Sequence, residues 1–464
     1  MSKQSGQRRL TRTVLLGAAA LLLAPAGAGA ASLHSQLLAQ ASYGAVTPSF
    51  ARTPDGTLHV GYETNTNWGA SANGIGIRSI SASGLLGPPV QAWAWNAGPS
   101  NGIPGLAVMP GGLLEAVFGG SPSGDPGPWG LSSTNGGSSW SAPADIGSES
   151  MEGGGAMTLQ VSNGTPVLTE GCCGGLVVQQ GFGAGAPTSQ IVNSTDGVAG
   201  NVDSAVDAAT GAVIASWDSA ASPGGMWFQQ VAPSQGAPVK LPVPLQYGSG
   251  TPLPVAGRDH GAGVFAAYPS NYATTTHIRL ARYGGGSIGV GSVKGLHANQ
   301  WSVATGPDGR IWVFWAGTLS DGKEITAVTR SNKAITRFEP IQQYRSNWSG
   351  GFTLSGDGRG GPLDMLIAAT PSVKPVTGIY YARILAELSA SASAKEVGGG
   401  KFDLKVKVSD AGDPVGGATV SAKGASGTTS KGKATVKISG SAGERVTVKI
   451  AAPGYRELRV GVTL

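Results

Sequence analysis

The stretch Gly306-Pro-Asp-Gly-Arg-Ile-Trp-Val-Phe-Trp315 reads as a strand end, a tight turn and a new strand. Pro307 presets φ for the turn, and Gly309 tolerates positive φ. Ile311, Val313 and Trp315 alternate with Arg310, Trp312 and Phe314. β-Branched and aromatic residues in alternation favour a pleated sheet. The phrase returns as Thr53-Pro-Asp-Gly-Thr-Leu-His-Val-Gly-Tyr62 and as Met109-Pro-Gly-Gly-Leu-Leu-Glu-Ala-Val-Phe118. Looser copies run from Ser162 to Glu170, Ala209 to Trp217, Asp259 to Tyr268 and Gly356 to Ala368. The turn glycines are Gly56, Gly112, Gly164, Gly211, Gly261, Gly309 and Gly358, at spacings of 56, 52, 47, 50, 48 and 49. A period near ~50 with several short strands per unit marks a β-propeller or a related array.

Each phrase is followed by a further strand start, near Gly74, Trp129, Gly175, Gly225, His277, Glu324 and Gly378. Two markers in fixed order predict seven four-stranded units. The fold class is therefore all-β: a seven-bladed β-propeller over residues 31–386, with six blades as the alternative. The seventh unit lacks a fourth strand of its own. Residues 36–50 stand ahead of the first phrase and are expected to supply it, closing the ring and removing sheet edges that invite aggregation.

Residues 1–30 read as a signal peptide. Lys3, Arg8, Arg9 and Arg12 form a basic start, Val14 to Leu23 an apolar core, and Ala28-Gly29-Ala30 a small-residue cleavage site. The mature protein is expected to be secreted, with no membrane span after cleavage. Removing the four basic residues takes the net charge from +6 to +2. From Glu387 onward twelve Lys/Arg face seven Asp/Glu, so the tail carries +5 and the rest about −3. That distribution argues against a nucleic-acid groove. Oligomeric state is not legible. Five histidines show no metal-ligand spacing, and neither metal nor cofactor is expected.

Ser133-Thr-Asn135-Gly-Gly137-Ser-Ser-Trp140 follows the pattern Ser-x-Asp-x-Gly-x-x-Trp, with Asn for Asp. It resembles the Asp-box of the sialidase-type (BNR) β-propellers, where short polar side chains cap a turn and the Trp packs between sheets. Ser331 to Phe338 keeps the spacing with the middle lost. Active sialidases carry Arg-Ile-Pro before the first phrase; here Val46-Thr47-Pro48 stands there, and Arg52 lies in the following strand, where it is no substitute. The resemblance thus implies the architecture and leans away from an enzyme. The composition changes from Ala386 to Gly400. Residues 387–464, with Val408 to Val420, Gly432-Lys-Ala-Thr-Val436 and Ala452-Pro-Gly-Tyr455, resemble the carboxypeptidase-regulatory or transthyretin-like module, an Ig-like β-sandwich.

The loops at the far end of the units carry aromatic residues suited to stacking on sugar rings: Trp68, Trp129, Tyr268, Tyr272, Trp301 and Trp348. Packing between sheets is the alternative for each, and the favoured reading for Trp217 and Trp315. Six residues after the turn glycine stand Tyr62, Phe118, Trp217, Ala267 and Trp315, but the third unit has Glu170. Asp364 holds that place in the seventh unit by the same count. A charge in an apolar row is costly unless paired or solvated, so Glu170 is the informative exception. Cys172 and Cys173 follow it. They are read as a vicinal disulfide forming a rigid apolar plate or a redox switch, with two buried thiols as the alternative. The expected function is recognition of a glycan or cell-envelope polymer. The alternative is a diverged glycoside hydrolase or lyase using Glu152, Glu170 and Asp218.

Overall fold

The computed structural model describes residues 30–40, 48–64, 73–95, 105–120, 127–146, 157–172, 175–181, 188–193, 198–219, 225–241, 253–270, 276–371 and 376–464. Among them the regular elements are strands, apart from two one-turn 3-10 helices in the tight turns, Pro110–Gly112 and Pro307–Gly309. No helix is long and apolar enough to cross a membrane among the described residues.

Up to Ile384 the strands form consecutive antiparallel sheets, seven among the described residues. The first consists of Ser49–Arg52, Leu58–Glu63, Asn73–Ile80 and Leu86–Trp95, each strand paired with the next. The later sheets repeat that order. Third strands begin at Asn73, Gly127, Gly175, Gly225, His277, Glu324 and Gly378, within two residues of the expected positions. Six of the turn glycines have φ between 72° and 87° (Gly56, Gly112, Gly164, Gly211, Gly261 and Gly309), as the turn chemistry requires.

Gly358 is different. A Cβ there would lie 2.2 Å from Trp312 Cδ1, so glycine serves a close approach between neighbouring sheets. The left-handed position in that longer turn is Gly361, with φ 102°. The extra length shifts the register, and Asp364 pairs with Asp357 at the turn end of its sheet, away from the aromatic row.

The first strand of each sheet lies against the first strand of the next, and the last of them, Trp348–Asp357, returns to Ser49–Arg52. The arrangement is propeller-like. Alternate residues fill the gaps between sheets: Ile77, Leu106 and Leu131 between the first two, Val167, Val202 and Trp217 between the third and fourth, Leu58, Leu366 and Tyr381 between the seventh and first. The seventh sheet takes Gln36–Gln40 as its outer strand, antiparallel to Gly378–Ile384, as the sequence leads one to expect. Ala31–Ser32 also pairs, in parallel, with Gln342–Ser346 of the sixth sheet.

Charge draws the join together. Arg52 Nε donates to Asp357 Oδ1 at 2.6 Å, and Arg52 Nη2 donates to Asp364 Oδ2 at 2.6 Å. Their side chains are 6%, 2% and 0% exposed. Tyr381 Oη donates to the other Asp364 oxygen at 2.8 Å, and Arg359 Nε to the other Asp357 oxygen at 2.6 Å.

The Ser133–Trp140 turn is capped by its own side chains. Gly137 N donates to Ser133 Oγ at 2.9 Å, Ser139 N to Asn135 Oδ1 at 3.0 Å, and Trp140 Nε1 to the Gly137 carbonyl at 3.1 Å. The Ser331–Phe338 turn does the same work by other means: Asn332 Oδ1 accepts from Thr336 N at 2.8 Å and Arg337 N at 3.1 Å. The middle that looks lost in sequence is therefore replaced by an Asn one residue earlier.

Beyond Leu388 two further sheets enclose their own core, with Phe402, Leu404, Val420, Val436, Val448 and Ile450 inside. They meet the sixth sheet through a buried ion cluster. Asp410 Oδ2 accepts from Arg330 Nη2 at 2.7 Å and from Tyr455 Oη at 2.7 Å, and lies 3.2 Å from Arg310 Nη2. Arg310 also reaches Asp413 at 2.9 Å, and Arg330 reaches Glu339 at 3.1 Å. The Arg330 guanidinium lies 5.0 Å from the Trp312 ring centre and 5.2 Å from that of Tyr455.

Arg52→Ala takes one partner from each of two buried carboxylates, and removal of one partner of a buried pair costs about 3–5 kcal/mol. Urea unfolding is expected to show a loss of that size, with Arg52→Lys recovering only part because an ammonium cannot fork to both acids. Burial raises the Asp357 carboxyl, but Arg359 and Arg52 outweigh it and hold its pKa below the ordinary carboxylate value. Its contribution is therefore present above the unfolded-state pKa and lost as pH falls through the folded-state value. An unchanged midpoint in Arg52→Ala would show that apolar packing alone keeps the ring shut.

Candidate functional site

Second strands run from the tight turns to the opposite end of each sheet, where the loops between the second and third strands depart. Near that end Tyr62, Phe118, Trp217 and Trp315 are all buried. The exception in the row, Glu170, is buried as well, at 3% exposed. It pairs with Met157 on one side and Val177 on the other. Residues two apart on a strand share a face, so Glu170 points the same way as Leu168. Leu168 packs with Val117 and Met157, in the gap between the second and third sheets. Among the described residues no group donates a hydrogen bond to the Glu170 carboxyl, and burial pushes its pKa up to about 7.

Burial pushes two more acids up in the same direction. Glu63 ends the second strand of the first sheet, and burial pushes it up to about 7. Asp203 sits in Val198–Val206, the first strand of the fourth sheet, and burial pushes it to about 7 against two backbone hydrogen bonds. Those come from Ser204 N and from Val255 N, both at 2.8 Å, the second tying it to the fifth sheet. Neither Glu63 nor Asp203 is among the acids that the sequence singles out. The available signal for Glu63 is its position: an acid directly after the aromatic of the first phrase.

A carboxyl with a pKa near 7 is largely protonated at mildly acidic pH. It can then donate one hydrogen bond and accept others, or deliver a proton. Glu63, Glu170 and Asp203 lie on the first, third and fourth sheets.

The aromatic candidates divide. Trp129 is half-buried in the third strand of the second sheet, directly opposite Phe118. Tyr268, Trp301 and Trp348 stand within strands rather than loops, and all three are buried. Tyr268 and Trp301 belong to the apolar cluster spanning the fourth, fifth and sixth sheets. Trp348 packs on Tyr380, ring centres 5.2 Å apart. Packing takes up these rings because a gap between sheets needs large side chains to fill it. Trp217 and Trp315 are packed, as their place in the strands suggests. Trp68, Glu152, Tyr272, Cys173, Val46 and Thr47 lie outside the described residues. Cys172 and Asp218 are strand residues, and their side chains also lie outside the described part.

No protein-family model matches the sequence, and no curated protein matches it. Among solved structures, a lectin from Burkholderia pseudomallei is 12% identical, with 81% of this chain and 97% of the lectin covered and a TM-score of 0.48. An ulvan lyase of a new polysaccharide-lyase family is 14% identical over 76% of this chain and 96% of the lyase, TM-score 0.47. A Penicillium chrysogenum α-L-arabinanase complexed with arabinobiose is 13% identical over 64% of this chain and 98% of the arabinanase, TM-score 0.42. Likenesses this distant carry no inference about ligand or activity.

The raised Glu170 pKa fixes the sign of a pH effect. In the unfolded chain its pKa is about 4.3, so between that value and about 7 the folded state holds the extra proton. Stability from this group is full below the unfolded value and falls as pH rises through 7. Glu170→Gln, which cannot ionise, is expected to remove about 3 kcal/mol of the drop between pH 4 and 8. Urea unfolding of both proteins at those two pH values measures it, and an unchanged drop would show that Glu170 is solvated.

Proposed function

We propose that the chain is a secreted seven-bladed β-propeller of sialidase type whose far end recognises a glycan or cell-surface polymer without catalysis. In this reading residues 1–30 are a cleaved signal peptide, 31–386 the propeller and 387–464 an Ig-like sandwich. The vicinal pair Cys172-Cys173 is a rigid plate beside the site. The observation that carries the proposal is Glu170: a buried carboxyl with a pKa of about 7, set where the other sheets have apolar or aromatic side chains. Sugars present hydroxyls that both donate and accept, alongside apolar C–H faces. A carboxyl that can hold its proton, with Trp129, Trp68 and Tyr272 proposed as stacking partners, complements such a surface without a net charge to desolvate.

A second reading rests on the same pKa. A carboxyl poised near 7 suits a general acid, and with Glu152 or Asp218 it would serve a diverged exported glycoside hydrolase or lyase.

A glycan array probed with the full-length protein, followed by product analysis on every glycan bound, separates the two. Binding without new chain ends is expected, weakened at least about tenfold in Glu170→Ala, the scale of one lost buried hydrogen bond to sugar. Turnover that vanishes in Glu170→Gln would establish the enzyme instead.

A further inference from the structure

We propose that the solvent face of the sheet Ser389–Gly398, Lys401–Asp410 and Lys433–Ser439 is a binding site for a linear polyanionic glycan. It lies outside the propeller and so goes beyond the reading above. On these strands alternate residues turn inward: Phe402, Leu404, Val406 and Val408, with Val436 and Ile438 from the partner strand. The intervening positions carry Lys401, Asp403, Lys405 and Lys407, and opposite them Lys433 and Lys437; the five lysines are exposed and Asp403 is half-buried. Lys407 stands directly across from Lys433. Like charges in that position destabilise a sheet. A third ammonium comes from Lys431, at φ 49° in a two-residue turn where Asn or Gly fits at lower cost.

These three lysines line a groove of about 380 Å³ together with Ser389, Ser391 and Ser409. Among the described residues none of the three forms an ion pair. The acid on the same face, Asp403, stands opposite Lys437 and Lys395, four residues along the strand from Lys407, while Asp410 and Asp413 turn to Arg330 and Arg310 of the sixth propeller sheet. A groove of uncompensated ammonium groups flanked by hydroxyls fits a chain carrying both anionic groups and sugar hydroxyls. A nucleic acid fits it less well, since no aromatic ring lines the groove for a base to stack on.

The test uses the full-length protein and three polymers: polygalacturonate, neutral dextran and a DNA duplex, each in low and high salt. Binding to polygalacturonate that weakens with salt, with no binding to dextran, is expected. The triple variant Lys407→Gln, Lys431→Gln, Lys433→Gln is expected to bind at least about tenfold more weakly and to melt no lower than wild type, because it removes only repulsion between exposed groups. The triple Lys→Arg variant keeps the charge and is expected to bind as wild type. The proposal is overturned if polygalacturonate does not bind in low salt, if the Gln triple binds as wild type, or if the duplex binds as tightly as polygalacturonate at equal charge concentration.

Discussion

One guanidinium closes the ring. Among the described residues, six of the seven junctions between sheets join units that follow each other in the chain, so a short connection holds them close. The seventh joins residues more than 300 positions apart, and Arg52 spans it by forking to Asp357 and Asp364. Neither carboxylate is tolerable there alone, because both are almost wholly removed from water. Arg78 reinforces the join from the outer side, donating to the Leu38 carbonyl in the strand that completes the seventh sheet. With the join open, the first and last sheets would present the apolar faces of Leu58, Val60, Leu366 and Tyr381 to solvent.

The repeat was legible because its physics is local. Alternation reports strands, and a glycine at the turn reports a positive φ, so turns and third-strand starts can be read within a few residues. Arg52 shows where such reading stops. In sequence it is an arginine in a strand, weighed only as a replacement for a family arginine and set aside. Its partners are fixed by ring closure, which no local pattern encodes. Asp364 fails for the converse reason: counting from the turn glycine assumes a turn of constant length, and the turn ending at Leu363 is longer. Asn332 is a third case. The cap it provides uses the same chemistry as Asn135, but one residue earlier than the expected register.

The candidate site was half legible. Glu170 stood out because an apolar row makes an acid conspicuous, and its burial confirms the position is desolvated rather than a solvated strand end. Glu63 has the same raised pKa and went unread, because an acid at a strand end looks like ordinary surface until the neighbouring sheet is in place. Tyr268, Trp301 and Trp348 look like binding residues in a list of aromatics and are packing residues in the fold. Composition cannot distinguish the two roles; the side of the strand end on which each ring falls does.

The buried cluster between the propeller and the tail connects these features. Replacing such a cluster by apolar groups is often neutral or favourable for stability, so its worth is better sought in orientation. Arg330 is held between two rings and two carboxylates, and the backbone of Glu387, where the tail begins, donates to Glu339 at 3.1 Å. A joint defined by that many directional contacts permits few angles between the two parts. It also withdraws Asp410 and Asp413 from the tail's own electrostatics. The tail keeps its exposed lysine face, while two of its acids serve the joint. Fixed orientation then decides how that face is presented relative to the far end of the propeller, and a polymer long enough to reach both would meet them in one set geometry.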